Sequence, residues 1–132
     1  MIALRGTLRI VAAGALIFSC ALPFPANATA VEREIELLLG RLAASGCEFE
    51  RNATWHAAEA VRTHLLRKRD ALARRGAIES SEQFVELAGS GSNTSGKPYR
   101  VRCGGSAPVD SRIWLLEQRR LLRQTGGAAK GS

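Results

Sequence analysis

The stretch GSNTSGKP, residues 91–98, differs at one position from a nucleotide-binding P-loop. That loop reads G-x-x-x-x-G-K followed by Ser or Thr, whose hydroxyl binds magnesium while the Lys binds phosphates. Here the last position is Pro98, which has neither a hydroxyl nor a backbone N–H. A P-loop also opens a helix, whereas a strand is predicted after this stretch. We therefore expect a polar loop that binds no nucleotide, with Lys97 as a loop cation.

Two histidines, His56 and His64, are the other residues that could carry chemistry. Their spacing around Glu59 is not the H-E-x-x-H of zinc proteases. On one helix the two rings would lie about 80° apart, and a metal would need further ligands, so no metal or cofactor is expected. A small hydrolase that uses His64 and a loop serine of residues 90–95 is the alternative, although no strand–turn–helix elbow surrounds those serines.

The elements that must position these residues follow from hydrophobic periodicity. Two short stretches alternate as strands do, CEFE at 47–50 and YRVRC at 99–103. Helical segments are predicted at residues 31–45, 57–75, 80–88 and about 111–123. The order is α-β-α-α-β-α, which predicts an α+β domain with four helices around a two-stranded ribbon.

The same patterns predict which side chains are buried. The S-x-x-Q of Ser80 and Gln83 also predicts a capping box at the start of the third helix. The residues expected to face inward are Val31, Ile35, Leu38, Leu39 and Leu42 in the first helix, Val61, Leu65 and Leu72 in the second, Phe84, Leu87 and Ala88 in the third, and Trp114, Leu115, Leu121 and Leu122 in the fourth.

The N-terminal residues have the pattern of a secretory signal peptide. A charged start precedes an uncharged, mostly apolar run at residues 10–22 and an A-x-A site, with cleavage expected after Ala28 or Ala30. An uncleaved anchor and a lipid attached to Cys20 are the alternatives. We therefore expect a signal peptide at 1–28, a single globular domain at 29–124 and a disordered tail at 125–132. The expected location is periplasmic or secreted, with no stable membrane span after cleavage.

Export would leave two cysteines, Cys47 and Cys103. An even number of cysteines in an oxidising compartment predicts a disulfide, and two cysteines allow one pairing. Two buried free thiols are the alternative. Because the pair is far apart in sequence, a structural bond is expected rather than a redox-active C-x-x-C.

The formal net charge is +7, and residues 51–75 hold seven of the Lys and Arg residues. Aromatic residues for base stacking are scarce, so nucleic acid is not the expected partner. An unknown envelope partner or anionic ligand fits this charge better. The candidate residues on the second helix are Arg62, Lys68, Arg69 and Arg75, and a merely solvated basic face is the alternative.

Five stretches together resemble the YfeK-like family of small exported bacterial proteins, a domain of unknown function. They are CEFERN (47–52), EAVRTHLLRK (59–68), IESSEQFVELA (78–88), SGKPYRVRC (95–103) and WLLEQ (114–118). Family members tend to have Gly after the Asn, where this chain has Ala53. The resemblance implies secretion, the disulfide and a single domain, without an activity. It marks His64, Lys68, Ser95, Lys97 and Tyr99 as candidate binding positions. A non-catalytic binding or interaction module with a basic surface is therefore expected, and the hydrolase is the alternative.

Overall fold

A computed structural model describes residues 26–129, with side chains for 29–126, together with Gly14 and Ser19. The remaining part of the predicted signal peptide, Cys20 included, and residues 130–132 lie outside the described residues. The elements are α1 (Ala26–Ala44), β1 (Glu48–Arg51), β2 (Thr54–Ala57), α2 (Ala58–Arg74), α3 (Ser81–Phe84), a π-helical turn (Val85–Gly89), β3 (Arg100–Arg102), β4 (Val109–Asp110) and α4 (Ser111–Ala129). The α+β class and the four helices are confirmed.

The core forms where α1 packs on α2 and α4. The apolar stripe of α1 is confirmed, because Ile35, Leu38, Leu39 and Leu42 are all buried. Polar contacts fix α1 against α4: Arg41 Nη2 donates to Gln118 Oε1 at 2.9 Å, and Arg123 Nε lies 3.0 Å from Glu34 Oε1. Burial would raise the pKa of Glu34, but hydrogen bonds from Ser81 and Arg123 and the nearby arginine charges outweigh it and lower that pKa.

The predicted two-stranded ribbon is wrong, because the described residues form a four-stranded antiparallel sheet in the order β2-β1-β3-β4. β1 pairs with β3, as expected from the two cysteines, but it also pairs with β2. Phe49 lies opposite Val101 on the face that is buried under the helices. Glu48 lies opposite Arg102 on the other face, where Arg102 Nε donates to Glu48 Oε2 at 2.8 Å.

β2 was missed because its hairpin turn lacks the usual glycine. Arg51 pairs with Thr54, so Asn52 and Ala53 form a two-residue loop. Both have positive φ, 49° and 66°, as a type I′ turn requires. Asn adopts positive φ more readily than most residues, but for Ala this conformation is unfavourable because the Cβ atom lies too close to the following carbonyl oxygen.

Replacing Ala53 with Gly is therefore expected to raise the free energy of unfolding by about 1 kcal/mol, because Gly adopts positive φ without strain. Urea unfolding measures the change. Ala60→Gly is the matched control, since Ala60 lies in α2. This substitution should lower the free energy of unfolding by about 1 kcal/mol, because Gly is less favourable than Ala in a helix. Equal effects of the two substitutions would contradict this account of the turn.

The third helix differs from its prediction halfway along. Its capping interaction is confirmed, because Gln83 N–H donates to Ser80 Oγ at 3.0 Å. The Gln83 side chain accepts from Glu79 N–H at 2.7 Å instead of from Ser80. The chain then continues as a π-helical turn, which changes the angle between successive side chains. Val85 is consequently buried, and Leu87, which was expected to face inward, is 40% exposed.

The disulfide between Cys47 and Cys103 is confirmed. The two residues adjoin the paired ends of β1 and β3, where Glu48 lies opposite Arg102. Their Cα atoms are 4.3 Å apart, the spacing of a non-hydrogen-bonded pair on neighbouring antiparallel strands. The bond thus joins the start of one central strand to the end of the other.

Both ends of the described domain are helical. α1 starts at Ala26, before the predicted cleavage sites. α4 continues to Ala129, so residues 125–129, predicted as disordered tail, are assigned to a helix here. Thr125 Oγ1 donates to the carbonyl oxygen of Leu122 at 2.9 Å, which satisfies one acceptor in this last part. Among the described helices, none has the length and apolar character needed to span a membrane.

Candidate functional site

A cleft opens between α2, the β1–β2 hairpin and the start of β3. Its volume is about 210 Å³. The apolar lining residues are Phe49, Ala60, Val61 and Leu65, and the polar ones are Glu50, Arg51, His56, His64, Arg67, Tyr99 and Ser111. Alternation along β1 puts the Glu50 side chain on the other face of the sheet. The charge inside the cleft is therefore positive.

The sequence explains why these side chains meet. Phe49 and Arg51 are two residues apart on β1, so both project from the inner face of the sheet. Ala60, Val61, His64 and Arg67 recur along one face of α2. The floor of the cleft is fixed by Phe49, whose ring packs edge-on against Trp114 of α4 with centroids 5.4 Å apart.

Tyr99 is held between two elements by its backbone. Its N–H donates to the carbonyl oxygen of Ser90 at 3.0 Å, and its carbonyl oxygen accepts from the N–H of Ser111 at 2.8 Å. The side chain is 6% exposed, and burial raises the pKa of its phenol while the charge of Arg51 lowers it. The net shift is upward, so the phenol stays protonated at neutral pH and can act as a hydrogen-bond donor.

Arg51, His64, Lys68 and Tyr99 form one polar cluster, called here the cleft cluster. Arg51 Nη1 lies 2.9 Å from His64 Nδ1 and 3.1 Å from His64 Nε2. The hydroxyl of Tyr99 lies 3.4 Å from His64 Nε2 and 3.4 Å from Lys68 Nζ. Two residues of α2 therefore meet at the hydroxyl group of Tyr99, and Arg51 of β1 joins the cluster through His64.

Burial and the neighbouring positive charges keep His64 neutral. Burial and the charges of Arg51 and Lys68 lower the pKa of His64 to about 4. A neutral imidazole has one donor and one acceptor nitrogen, and an arginine can only donate. Arg51 can therefore donate to whichever ring nitrogen of His64 carries no hydrogen. Lys68 donates to the oxygen of the Tyr99 hydroxyl, which keeps one hydrogen to donate to His64 Nε2 or to a group in the cleft.

Lys68 differs from the other cations because its ammonium group is fully used. It donates to the carbonyl oxygens of Ala88 at 2.9 Å and Gly91 at 3.2 Å, and to Tyr99 at 3.4 Å. Three donors thus meet three acceptors. Burial, followed by the charge of Arg51, lowers the pKa of Lys68. Its position ties α2 to the π-helical turn.

A second cavity of about 260 Å³ adjoins the first and shares Arg51, His64 and Tyr99 with it. Its other lining residues are polar: Asn52, Lys68, Ser92, Asn93 and Thr94. The cleft therefore has an apolar end and a polar end, with the cleft cluster between them.

The model of a family of unknown function, DUF5329, matches residues 29–123 of this chain. The chain belongs to this family. No curated protein and no solved structure matches the chain. The DUF5329 span contains every member of the cleft cluster and both cysteines. The matched residues include the five stretches that indicated a domain of unknown function. The match does not connect the chain to the YfeK name.

Within this DUF5329 domain the loop at 91–98 is not built like a P-loop. Gly91 and Pro98 form an isolated antiparallel bridge, and Ser92 N–H donates to the carbonyl oxygen of Lys97 at 3.0 Å. The chain then enters β3, so the predicted order of helix, loop and strand is confirmed. No helix begins at this loop to bind phosphates with its N-terminus.

The other predicted site residues separate into distinct places. Ser95 Oγ donates to Asn52 Oδ1 at 2.9 Å and ties the loop to the hairpin turn, while Lys97 is exposed. On α2, Arg62 and Arg69 lie about 20° apart and Lys68 lies about 100° from Arg69, whereas Arg75 is the capping residue that follows the helix. Arg69 Nη2 pairs with Asp70 at 3.2 Å, and Arg75 is exposed. The four cations therefore share no single face.

The two histidines do not share a helix, since His56 lies on β2 and His64 on α2. Both nevertheless line the cleft. In the described part of the chain, no three His, Cys, Asp or Glu side chains come together as metal ligands. The hydrogen-bond partners of His64 there are Arg51 and Tyr99, and none is a serine. The geometry accordingly offers no Ser–His pair to the hydrolase alternative.

Arg51 is the member of the cleft cluster that the sequence analysis did not predict as a site residue. The predicted strand stopped at Glu50, yet Arg51 follows the inward-facing Phe49 by two positions. Extending the alternation by one residue would have placed its side chain on the buried face.

Proposed function

We propose that this protein is an exported, non-catalytic binding module that holds an anionic ligand in the cleft between α2 and the β1–β2 hairpin. The observation that carries the proposal is the cleft cluster, in which donors converge and, among the described residues, none is paired with a carboxylate. Within the described residues, the hydrogen bonds of Arg51 run through Nη1 alone, so Nε and Nη2 remain available. The hydroxyl of Tyr99, which lines the same cleft, can act as a further donor.

The surroundings make this cationic group useful to a ligand. A half-buried guanidinium is partly desolvated, so an anion gains more from it than from a fully hydrated surface charge. Neutral His64 positions Arg51 and Tyr99 without adding a competing charge. An arginine held in this way is pre-organised, which lowers the entropy cost of binding.

Export is part of the proposal. The signal-peptide pattern of residues 1–28 supports it, and so does a structural disulfide, because disulfides persist in oxidising compartments. We propose a periplasmic or secreted location, where anionic polymers, lipids and small acids are the available partners. The excess of Lys and Arg over Asp and Glu, which remains after the two arginines of the signal peptide are removed, favours the approach of such ligands.

Replacing Arg51 with Gln is expected to weaken anion binding at least tenfold, because it removes the charge and the planar fork. The measurement is a titration of the full chain with phosphate and with acetate at low ionic strength, followed by amide chemical shifts. In the wild-type protein the largest shifts should surround Arg51, His64 and Tyr99.

Arg100→Gln is the matched control, since it removes the same charge from an exposed position on β3. It should leave both titrations nearly unchanged. An equal loss of affinity in Arg51→Gln and Arg100→Gln would mean that binding follows net charge alone. If the wild-type protein bound neither phosphate nor acetate, the proposed function would be refuted.

A further inference from the structure

The two ends of the cleft differ in character, and this difference bears on the ligand. We infer that the ligand is a small organic monocarboxylate, held by Arg51 and Tyr99, whose apolar part lies against Phe49 and Val61. This inference rests on the proposed anion-binding function and names the ligand class.

The charge of the cleft matches a monoanion. Lys68 has three donors and three acceptors within the protein, so it has none to offer a ligand. Arg67 is exposed and stands at the rim. One guanidinium with two unused nitrogens therefore remains inside, next to one phenol. A planar fork of two N–H groups fits the two oxygens of a carboxylate.

The apolar wall beside this fork calls for a ligand with carbon atoms. Phe49, Val61 and Leu65 line the same cleft as Arg51. An inorganic anion would leave this wall in contact with water. An organic substituent would remove apolar surface from water, which contributes about 25 cal/mol for each Å² buried.

The volume sets the size of that substituent. The cleft measures about 210 Å³, whereas a protein cavity of about 150 Å³ binds benzene. A carboxylate with a ring or a chain of about six carbons therefore fits. Its carboxylate would lie at the junction with the second cavity, where both cavities share Arg51, His64 and Tyr99.

The test is a series of straight-chain carboxylates, from acetate to octanoate, titrated into the full chain at constant ionic strength. Each CH₂ group that becomes buried should raise the affinity about fourfold. The rise should stop near hexanoate, when the apolar end is full. Benzoate should bind at least as tightly as butanoate, and phosphate more weakly than hexanoate.

Val61→Asn should reduce the rise in affinity with chain length, because it makes the wall of the cleft polar. Leu37→Asn is the matched control, since Leu37 is an exposed leucine of α1 outside the cleft, and it should leave the series unchanged. If Val61→Asn does not fold, Ala60→Leu serves instead, because it fills the apolar end and should move the plateau to shorter chains.

The outcomes separate the two proposals. An affinity that does not rise with chain length, or binding of phosphate alone, overturns the monocarboxylate and leaves the anion-binding function standing. Failure of every carboxylate and of phosphate to bind overturns both.

Discussion

Replacing Cys47 and Cys103 together with alanine will lower the free energy of unfolding by about 2–5 kcal/mol. The bonded residues are 56 positions apart in sequence, so the bond closes a long loop in the unfolded chain. The chain-entropy model gives about 4 kcal/mol for a loop of this length. Cys47 is also buried in the core, and its loss removes apolar contacts.

Urea unfolding of the oxidised protein, the reduced protein and the double variant measures this effect. Reduced wild-type protein is the control, because it keeps both sulfur atoms and loses only the bond. It should unfold at a lower urea concentration than the oxidised protein and at a slightly higher one than the double variant. Identical midpoints before and after reduction would contradict a stabilising role for the bond.

The disulfide and the first helix were the most predictable parts of the fold. The stripe of Ile35, Leu38, Leu39 and Leu42 repeats with the helical period, and burial of one face follows from that period. Tyr99 and Val101 alternate with exposed Arg100, which defines β3 without reference to its neighbours. In these segments, local pattern and tertiary packing agree.

β2 and the π-helical turn could not be predicted from local sequence patterns. Residues 54–57, TWHA, lie on an edge strand with no fully buried side chain, so no alternation of polarity marks them. The turn before them has Ala53 where glycine would have signalled a hairpin. At residues 85–89 the sequence fits an ordinary helix, and the changed period arises where Lys68 and Leu115 pack against it.

The cleft was predictable residue by residue but not as a site. The motifs marked His64, Lys68 and Tyr99. In the structure, His64 and Lys68 both lie within hydrogen-bonding distance of the Tyr99 hydroxyl. Arg51 completes the cluster from a hairpin whose second strand was missed. A site built from an α-helix, a hairpin and a strand depends on long-range contacts that no local spacing encodes.

Lys68 illustrates how a charge can serve the fold instead of a partner. It was one of four cations expected to form a binding face, yet it points at the carbonyl oxygens of Ala88 and Gly91. Both residues belong to the π-helical turn or the loop after it, where helical hydrogen bonds end. Lys68 thus donates to two carbonyl oxygens near the end of the π-helical turn and connects this turn to α2.

Lys68→Met is therefore expected to lower the free energy of unfolding by about 2–4 kcal/mol, since each buried acceptor left without a donor costs about 1–3 kcal/mol. Urea unfolding measures the loss. Lys97→Met is the matched control, because Lys97 is exposed, and it should change stability by less than about 0.5 kcal/mol. If Lys68 instead served a partner on the surface, both variants would be equally stable, and only binding would differ.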